Sequence, residues 1–177
     1  MDINNILPVV LAVGKAKRFG SNKLQAQLGD KVLIDYILYE ILEQFKELLI
    51  VANEPINHLQ SDKISIIEDY KKDQGPLGGV FSAMKWVKEN KKEYKWISTF
   101  PSDTPFFTIN IFNQFLDQVD EKKSELFFMN SNQKRHNIFG LWSIDLIDKL
   151  EIDLENGARK VEKWANNIGL QTINMSF

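Results

Sequence analysis

Residues 11–23 read LAVGKAKRFGSNK and hold Lys15, Lys17, Arg18 and Lys23 without one acidic side chain. Gly14 and Gly20 punctuate this run. Glycine lets backbone N–H groups come close to an anion, arginine offers a planar fork to phosphate oxygens, and lysine adds a movable point charge. The run lacks the Gly-Lys-Ser/Thr ending of a Walker loop, and its glycine spacing is not that of a dinucleotide fingerprint. Taken alone it can also be read as a solvated basic loop. Two carboxylates change the weighing. Asp69 closes IIEDY, ahead of the glycine-rich QGPLGGV, and Asp103 sits in FPSDTPFF. Cations and carboxylates meeting at one rim suit a nucleoside triphosphate with Mg²⁺, the carboxylate holding the metal and the cations neutralising phosphate. Each carboxylate also has a plainer reading. Asp103 could cap a helix beginning near Thr108 or close a turn before Pro105, and Asp69 could simply open a loop.

The elements that must position these residues follow from apolar patterning. ILPVVLAV (6–13) reads as a buried strand. In 31–45 Val32, Leu33, Tyr36, Ile37, Ile41 and Phe45 recur at helical spacing. ELLIVAN and ISIIED read as strands ending in polar residues, LGGVFSAMKWVKEN as a helix opened by glycines, and KWISTF as a strand closing on PSDTP. NIFNQFLDQV, SIDLIDKLE and ARKVEKWANN read as helices, ELFFMN and HNIFGLWS as a strand pair with antiparallel character, and LQTINMSF as a last strand. Strands alternating with helices predict an α/β fold, a mostly parallel sheet covered on both faces, with ligands gathered at the carboxyl ends of its strands. Nothing resembles a linker or a repeat, so one domain over 1–177 is expected.

Composition narrows the function class. The 22 basic and 24 acidic residues give a net charge of −2, which argues against a nucleic-acid or membrane-surface partner and leaves anion binding to local patches. No apolar run approaches the roughly 18 residues of a membrane span, and MDINN lacks the cationic start of a signal peptide. The absence of cysteine removes disulfides, thiolate metal sites and cysteine nucleophiles. A cytoplasmic globular protein is the expectation.

VVLAVGKAKRFGSNK, IIEDYKKDQGPLGGVFSAM and FPSDTPFF, followed by HNIFGLWSIDLIDKLE and GARKVEKWA, together resemble the MobA-like nucleotidyltransferases, the molybdenum cofactor guanylyltransferases. The resemblance implies a three-layer, doubly wound α/β fold and transfer of GMP from GTP to molybdopterin with release of pyrophosphate and help from Mg²⁺. It implies that Leu11, Ala12, Val13 and Gly14 line the guanine and ribose pocket with backbone groups, and that Lys23 contacts the nucleotide. It further implies that Arg18 holds the triphosphate, that Asn53 and Asp69 bind the nucleoside, and that Asp103 coordinates the metal. The 75–79 turn would floor the cleft. Molybdoenzymes or other cofactor-biosynthesis proteins are the protein partners it suggests.

Two departures from the family pattern carry consequences. Val13 stands where Leu-Ala-Gly-Gly has a glycine, which narrows the base pocket. The family's Asn-x-Asn-Thr-Pro segment and final helix do not follow INMSF, so nucleotide binding is more secure than full turnover. A related transferase using CTP or a sugar phosphate, and a nucleotide-binding protein without turnover, stand as alternatives. Of the remaining conspicuous residues, His58 reads as a solvent-facing loop residue and His136 as structural, with pterin contact open. Trp86, Trp96, Trp142 and Trp164 read as packing. Arg159 and Lys160 could meet the pterin phosphate or a partner enzyme.

Overall fold

The computed structural model of the chain describes residues 1–12, 27–28, 31–53, 61–70, 74–102, 109–131 and 134–175. In chain order its elements are β1 (Ile6–Ala12), β2 (Gln27–Leu28), β3 (Lys31–Val32), α1 (Leu33–Leu42), β4 (Leu48–Ala52), β5 (Ile64–Glu68), α2 (Gly75–Asn90) and β6 (Trp96–Pro101). After these come α3 (Ile109–Asp117), β7 (Leu126–Ser131), β8 (Lys134–Ser143), α4 (Ile147–Glu155), α5 (Val161–Ile168) and β9 (Gln171–Met175). Seven strands form one sheet in the order β5-β4-β1-β6-β8-β7-β9, and β2 pairs with β3 apart from it. β1, β4, β5 and β6 run parallel, and β9 runs parallel to β7. β8 is antiparallel to both of its neighbours.

β1 explains the layering. Its side chains alternate between two apolar clusters, Ile6 and Val10 on one face, Leu7, Val9 and Leu11 on the other. A strand buried on both faces requires cover above and below. Ile34, Ile37, Leu38 and Ile41 of α1 with Phe112, Phe115 and Leu116 of α3 cover the first face. α2, α4 and α5 cover the second through residues such as Leu77, Phe81, Met84, Leu150 and Trp164. Each fully buried aliphatic or aromatic side chain contributes about 1.5–3 kcal/mol. The α/β, doubly wound, three-layer architecture expected from the sequence is the one observed.

Prolines mark where ladder pairing begins and stops. Pro8, without an N–H, faces Ser98 of β6, one residue before pairing with β4 starts at Val9↔Leu49. Pro101 is the last residue of β6, opposite Leu11.

α1 corrects the expected face. Its buried stripe is Ile34, Ile37, Leu38 and Ile41, continued by Phe45, while Tyr36 is half-buried. The helix begins only at Leu33, because Lys31 and Val32 pair with Leu28 and Gln27, so Val32 lies outside it, and Ile34 and Leu38 join the expected Ile37 and Ile41 on the buried face. β8 also begins earlier than the strand HNIFGLWS, at Lys134.

A seam joins β7 to β8. Pairing shifts between Phe128↔Gly140 and Met129↔His136, so three extra residues of β8 are accommodated there. The rings of Phe128 and Trp142 pack edge to face with centroids 5.3 Å apart. A Cβ on Gly140 would come within 2.5 Å of Phe128 and 2.7 Å of the Trp142 indole nitrogen. Thr99 completes the seam, its Oγ1 accepting from Trp142 Nε1 at 2.9 Å and from Gly140 N at 3.2 Å. Gly140→Ala is therefore expected to cost about 1–3 kcal/mol by overpacking, read as a melting temperature several degrees lower.

Ahead of the amino ends of β4 and β6, the Tyr94 hydroxyl donates to Glu47 Oε2 at 2.7 Å, and Lys91 Nζ lies 3.3 Å from Oε1. Burial pushes the Glu47 carboxyl up, but the Tyr94 hydroxyl and Lys91 outweigh it and hold the pKa below the ordinary 4.5. Burial and the Glu47 bond push the Tyr94 phenol above its ordinary 10.0. A lowered carboxyl stabilises above its unfolded pKa and loses that contribution as pH falls through the folded value. A raised phenol loses its contribution as pH rises above its unfolded value. Tyr94→Phe should accordingly flatten the alkaline arm of a melting-temperature profile and make the acid arm shallower, measured between about pH 3 and 11.

Candidate nucleotide site

The strand order reverses at β1. From β1 the chain moves outward through β4 and β5, then returns through α2 to β6 on the other side of β1. In open α/β sheets such a switch point leaves a crevice at the carboxyl ends of the two strands, where ligands bind. Here those ends are Ala12 and Pro101, with Leu11 opposite Pro101. β4 and β5 end level with β1, since Ala12 pairs with Ala52 and Ala52 with Glu68. Asn53 and Asp69 therefore follow adjacent, aligned strand ends.

Of the residues expected at the site, Leu11, Ala12, Asn53, Asp69 and residues 75–79 are described, the last as the opening turn of α2 itself rather than a turn ahead of it. The expectations on Val13, Gly14, Arg18, Lys23 and Asp103, and on His58, lie outside the described residues. Leu11 buries its side chain among the α2-side core, so only its backbone can face a ligand. Ala12 is half-buried and Asn53 is exposed at the rim.

Asp69 is 5% exposed although it carries a carboxylate. Its Oδ1 accepts from Ser82 Oγ at 2.8 Å. Ser82, itself buried, also accepts from Tyr70 N at 2.8 Å, and its hydroxyl lies 3.0 Å from the Gly78 carbonyl. A buried charge needs such partners, and leaving one unmade costs about 1–3 kcal/mol. The bonds join the end of β5 to the first turns of α2. That helix opens on Gly75 at φ +63°, a left-handed conformation natural to glycine. Pro76 follows in its first turn, and Gln74 at the N-cap makes no side-chain capping bond.

Two residues of this region carry no sequence signal. Ser82 reads as one more small residue on a buried helix face. Glu40, on α1, accepts from the backbone N of Ile109 at 3.1 Å and so caps α3 from 69 residues away. A cap supplied by another helix leaves no local motif. In chain order, α3 is the element that follows the segment containing Asp103.

On the far side of the rim, the carboxyl end of β7 and the start of β8 bring Ser131 Oγ to His136 Nε2, and the His136 ring packs edge-on against Phe139. These contacts fit the structural role expected for His136. Arg135 bonds Asn166 Oδ1 at 2.9 Å and pairs with Glu162 at 3.2 Å, tying β8 to α5. Arg159 donates to the carbonyls of Leu154 and Ala158, closing the end of α4. Trp96, Trp142 and Trp164 are buried and Trp86 is half-buried. Trp142 and Trp164 stack at 6.0 Å, so the packing role expected of them holds. Among the described residues no group of three or more His, Asp or Glu side chains could hold a metal ion, and no helix is long and apolar enough to cross a membrane.

A doubly wound sheet with its crevice at a reversal of strand order is an architecture that many nucleotide-binding α/β proteins share. Residues 8–168 match the MobA-like NTP transferase domain, and the chain belongs to that nucleotidyltransferase family. A molybdenum cofactor guanylyltransferase of Haemophilus influenzae is 29% identical over 166 residues, covering 93% of this chain and 84% of that protein. A crystal structure of an Aquifex aeolicus protein superposes with a TM-score of 0.77 at 22% identity, covering 97% of this chain and 86% of that one. Molybdopterin-guanine dinucleotide biosynthesis protein A from Archaeoglobus fulgidus does so with a TM-score of 0.74 at 17% identity, over 94% and 82%. At these identities the two structures speak for the fold alone.

Glu40→Ala removes the acceptor for the Ile109 N–H and is expected to cost about 0.5–2 kcal/mol, as other capping losses do. Glu40→Gln, which keeps a carbonyl acceptor, should retain most of that stability in the same thermal melt.

Proposed function

We propose that the protein is a molybdenum cofactor guanylyltransferase, moving GMP from GTP to molybdopterin and releasing pyrophosphate. The observation that carries this reading is the reversal of strand order at β1, which sets the ends of β1 and β6 side by side. The segment with Arg18 and Lys23 follows Ala12 in the chain, and Asp103 follows Pro101 by two residues. The choice of GTP and molybdopterin rests on the relatives, of which that of Haemophilus influenzae is named for this activity.

In this reading a terminal phosphate oxygen of molybdopterin attacks the α-phosphorus of GTP in line. A new P–O bond forms, the bond between the α-phosphorus and its bridging oxygen breaks, and pyrophosphate leaves with that oxygen. The nucleophile is already anionic, so no general base is required. The obstacle is the approach of one anion to another, and positioning with charge neutralisation lowers it. Arg18 and Lys23 neutralise the triphosphate, and the backbone at Leu11, Ala12, Val13 and Gly14 seats the nucleoside beside Asn53 and Asp69. Mg²⁺, when bound, supplies further neutralisation. Asp103 would hold the ion, since Mg²⁺ is commonly bound through one or two carboxylates together with substrate phosphates.

Asp103→Ala is expected to lower GMP transfer by at least about a hundredfold, the scale of removing one major electrostatic contact, while leaving the melting temperature within a few degrees. Pyrophosphate release with molybdopterin, measured in parallel with GTP and CTP, reports it. Turnover preserved in that variant, or equal turnover with CTP, would overturn the assignment of metal site or of substrate respectively.

A further inference from the structure

Ser82 is assigned no role from the sequence, yet it sits where the end of β5 meets the opening of α2. It lies on the second turn of α2 and is 3% exposed. Its hydroxyl takes the Tyr70 N–H and holds Asp69 Oδ1, each at 2.8 Å, and it lies 3.0 Å from the carbonyl of Gly78. One hydroxyl hydrogen serves two acceptors, and the shorter, charged one takes the larger share. Without that pull the hydrogen would turn back to Gly78, the local bond by which serine bends a helix.

We infer that Ser82 is a positioning residue for the nucleotide: through Asp69, Tyr70 and Gly78 it joins the end of β5 and the opening turns of α2 into one rigid unit. The inference rests on the reading of this rim as the nucleotide site and adds to it the residue that sets its geometry. On that view much of the effect of Asp69 on binding passes through its bond to Ser82, because the bond determines where the carboxylate and the 75–79 turn stand relative to Asn53 and the end of β1. A displacement of about 1 Å at a positioning contact is enough to lower rates or affinity by orders of magnitude.

The test is a double-mutant cycle on the full chain, with GTP affinity measured in the presence of Mg²⁺ well below the melting temperature of each variant. Ser82→Ala is expected to weaken GTP binding about tenfold, to raise KM more than it lowers kcat, and to leave the melt a single transition. Asp69→Ala should weaken binding at least as much. The double variant should match the worse single one within about twofold, since both changes break the same unit. Ser82→Cys keeps the volume with a weak donor, should fall between wild type and Ser82→Ala, and stands in for it if the alanine variant does not fold. Binding by Ser82→Ala within about threefold of wild type, binding by Ser82→Cys equal to wild type where it stands in, or losses that multiply in the double variant would overturn the inference and leave the nucleotide reading standing. Wild-type protein that binds no nucleotide would remove both.

Discussion

The structure depends on β1 being apolar on both faces. Six of its seven residues are buried, so the strand can only lie inside the sheet, with helices above and below. Parallel neighbours on each side then require crossovers, and the crossovers return the chain to the same rim after each strand. Polar chemistry is pushed past the ends of β1, β4 and β6, which carry no charged residue along their length. The sheet interior does hold polar groups, such as Thr99, but there the hydroxyl is taken by Trp142 and Gly140. Only beyond Ala12, Ala52, Glu68 and Pro101 does the chain become free to carry charge at low cost.

A rim built from strand ends is only as well defined as the contacts that hold the segments beyond those ends. The ladder holds each strand up to its last paired residue and no further. Past that residue, single polar bonds across elements take over. Ser82 holds Asp69 and the start of α2, and Glu40 holds the start of α3. Arg135 ties β8 to α5. All three bonds reach from one element to another part of the chain. They stabilise the fold modestly, but they decide where neighbouring segments stand, and nucleotide chemistry is sensitive to that placement.

What the sequence makes legible divides along the same line. β1, β4 and β6 are visible as apolar runs and α2 as a periodic segment behind glycines, because burial of a continuous face writes itself into local composition. The strand pair is visible too. Its insertion with β8 between β6 and β7 is not, since a hairpin fixes pairing within itself but not which strand receives it. The start of α1 escapes because a two-residue ladder at Lys31 and Val32 takes up the first apolar residue of the run. Asp69 stands out as a carboxylate after a strand, and so does Asn53 as a polar strand end, whereas Ser82 and Glu40 act across 13 and 69 residues. A contact of that span has no signature in a window of neighbouring residues.

The seam at Gly140 shows why the second half of the rim has the shape it does. Because β8 runs against its neighbours, its amino end meets the carboxyl ends of β6, β7 and β9 at one edge. The three extra residues taken up between Phe128↔Gly140 and Met129↔His136 change the register there. They let His136 face Met129 and Arg135 face Asn130, where an unbroken ladder would have carried 139 and 138. Next to that shift Gly140 leaves room for Phe128 and Trp142 to meet edge to face, with Thr99 bonding the indole from β6. The packing of the core and the register of the hairpin thus meet at one residue, where a Cβ would not fit.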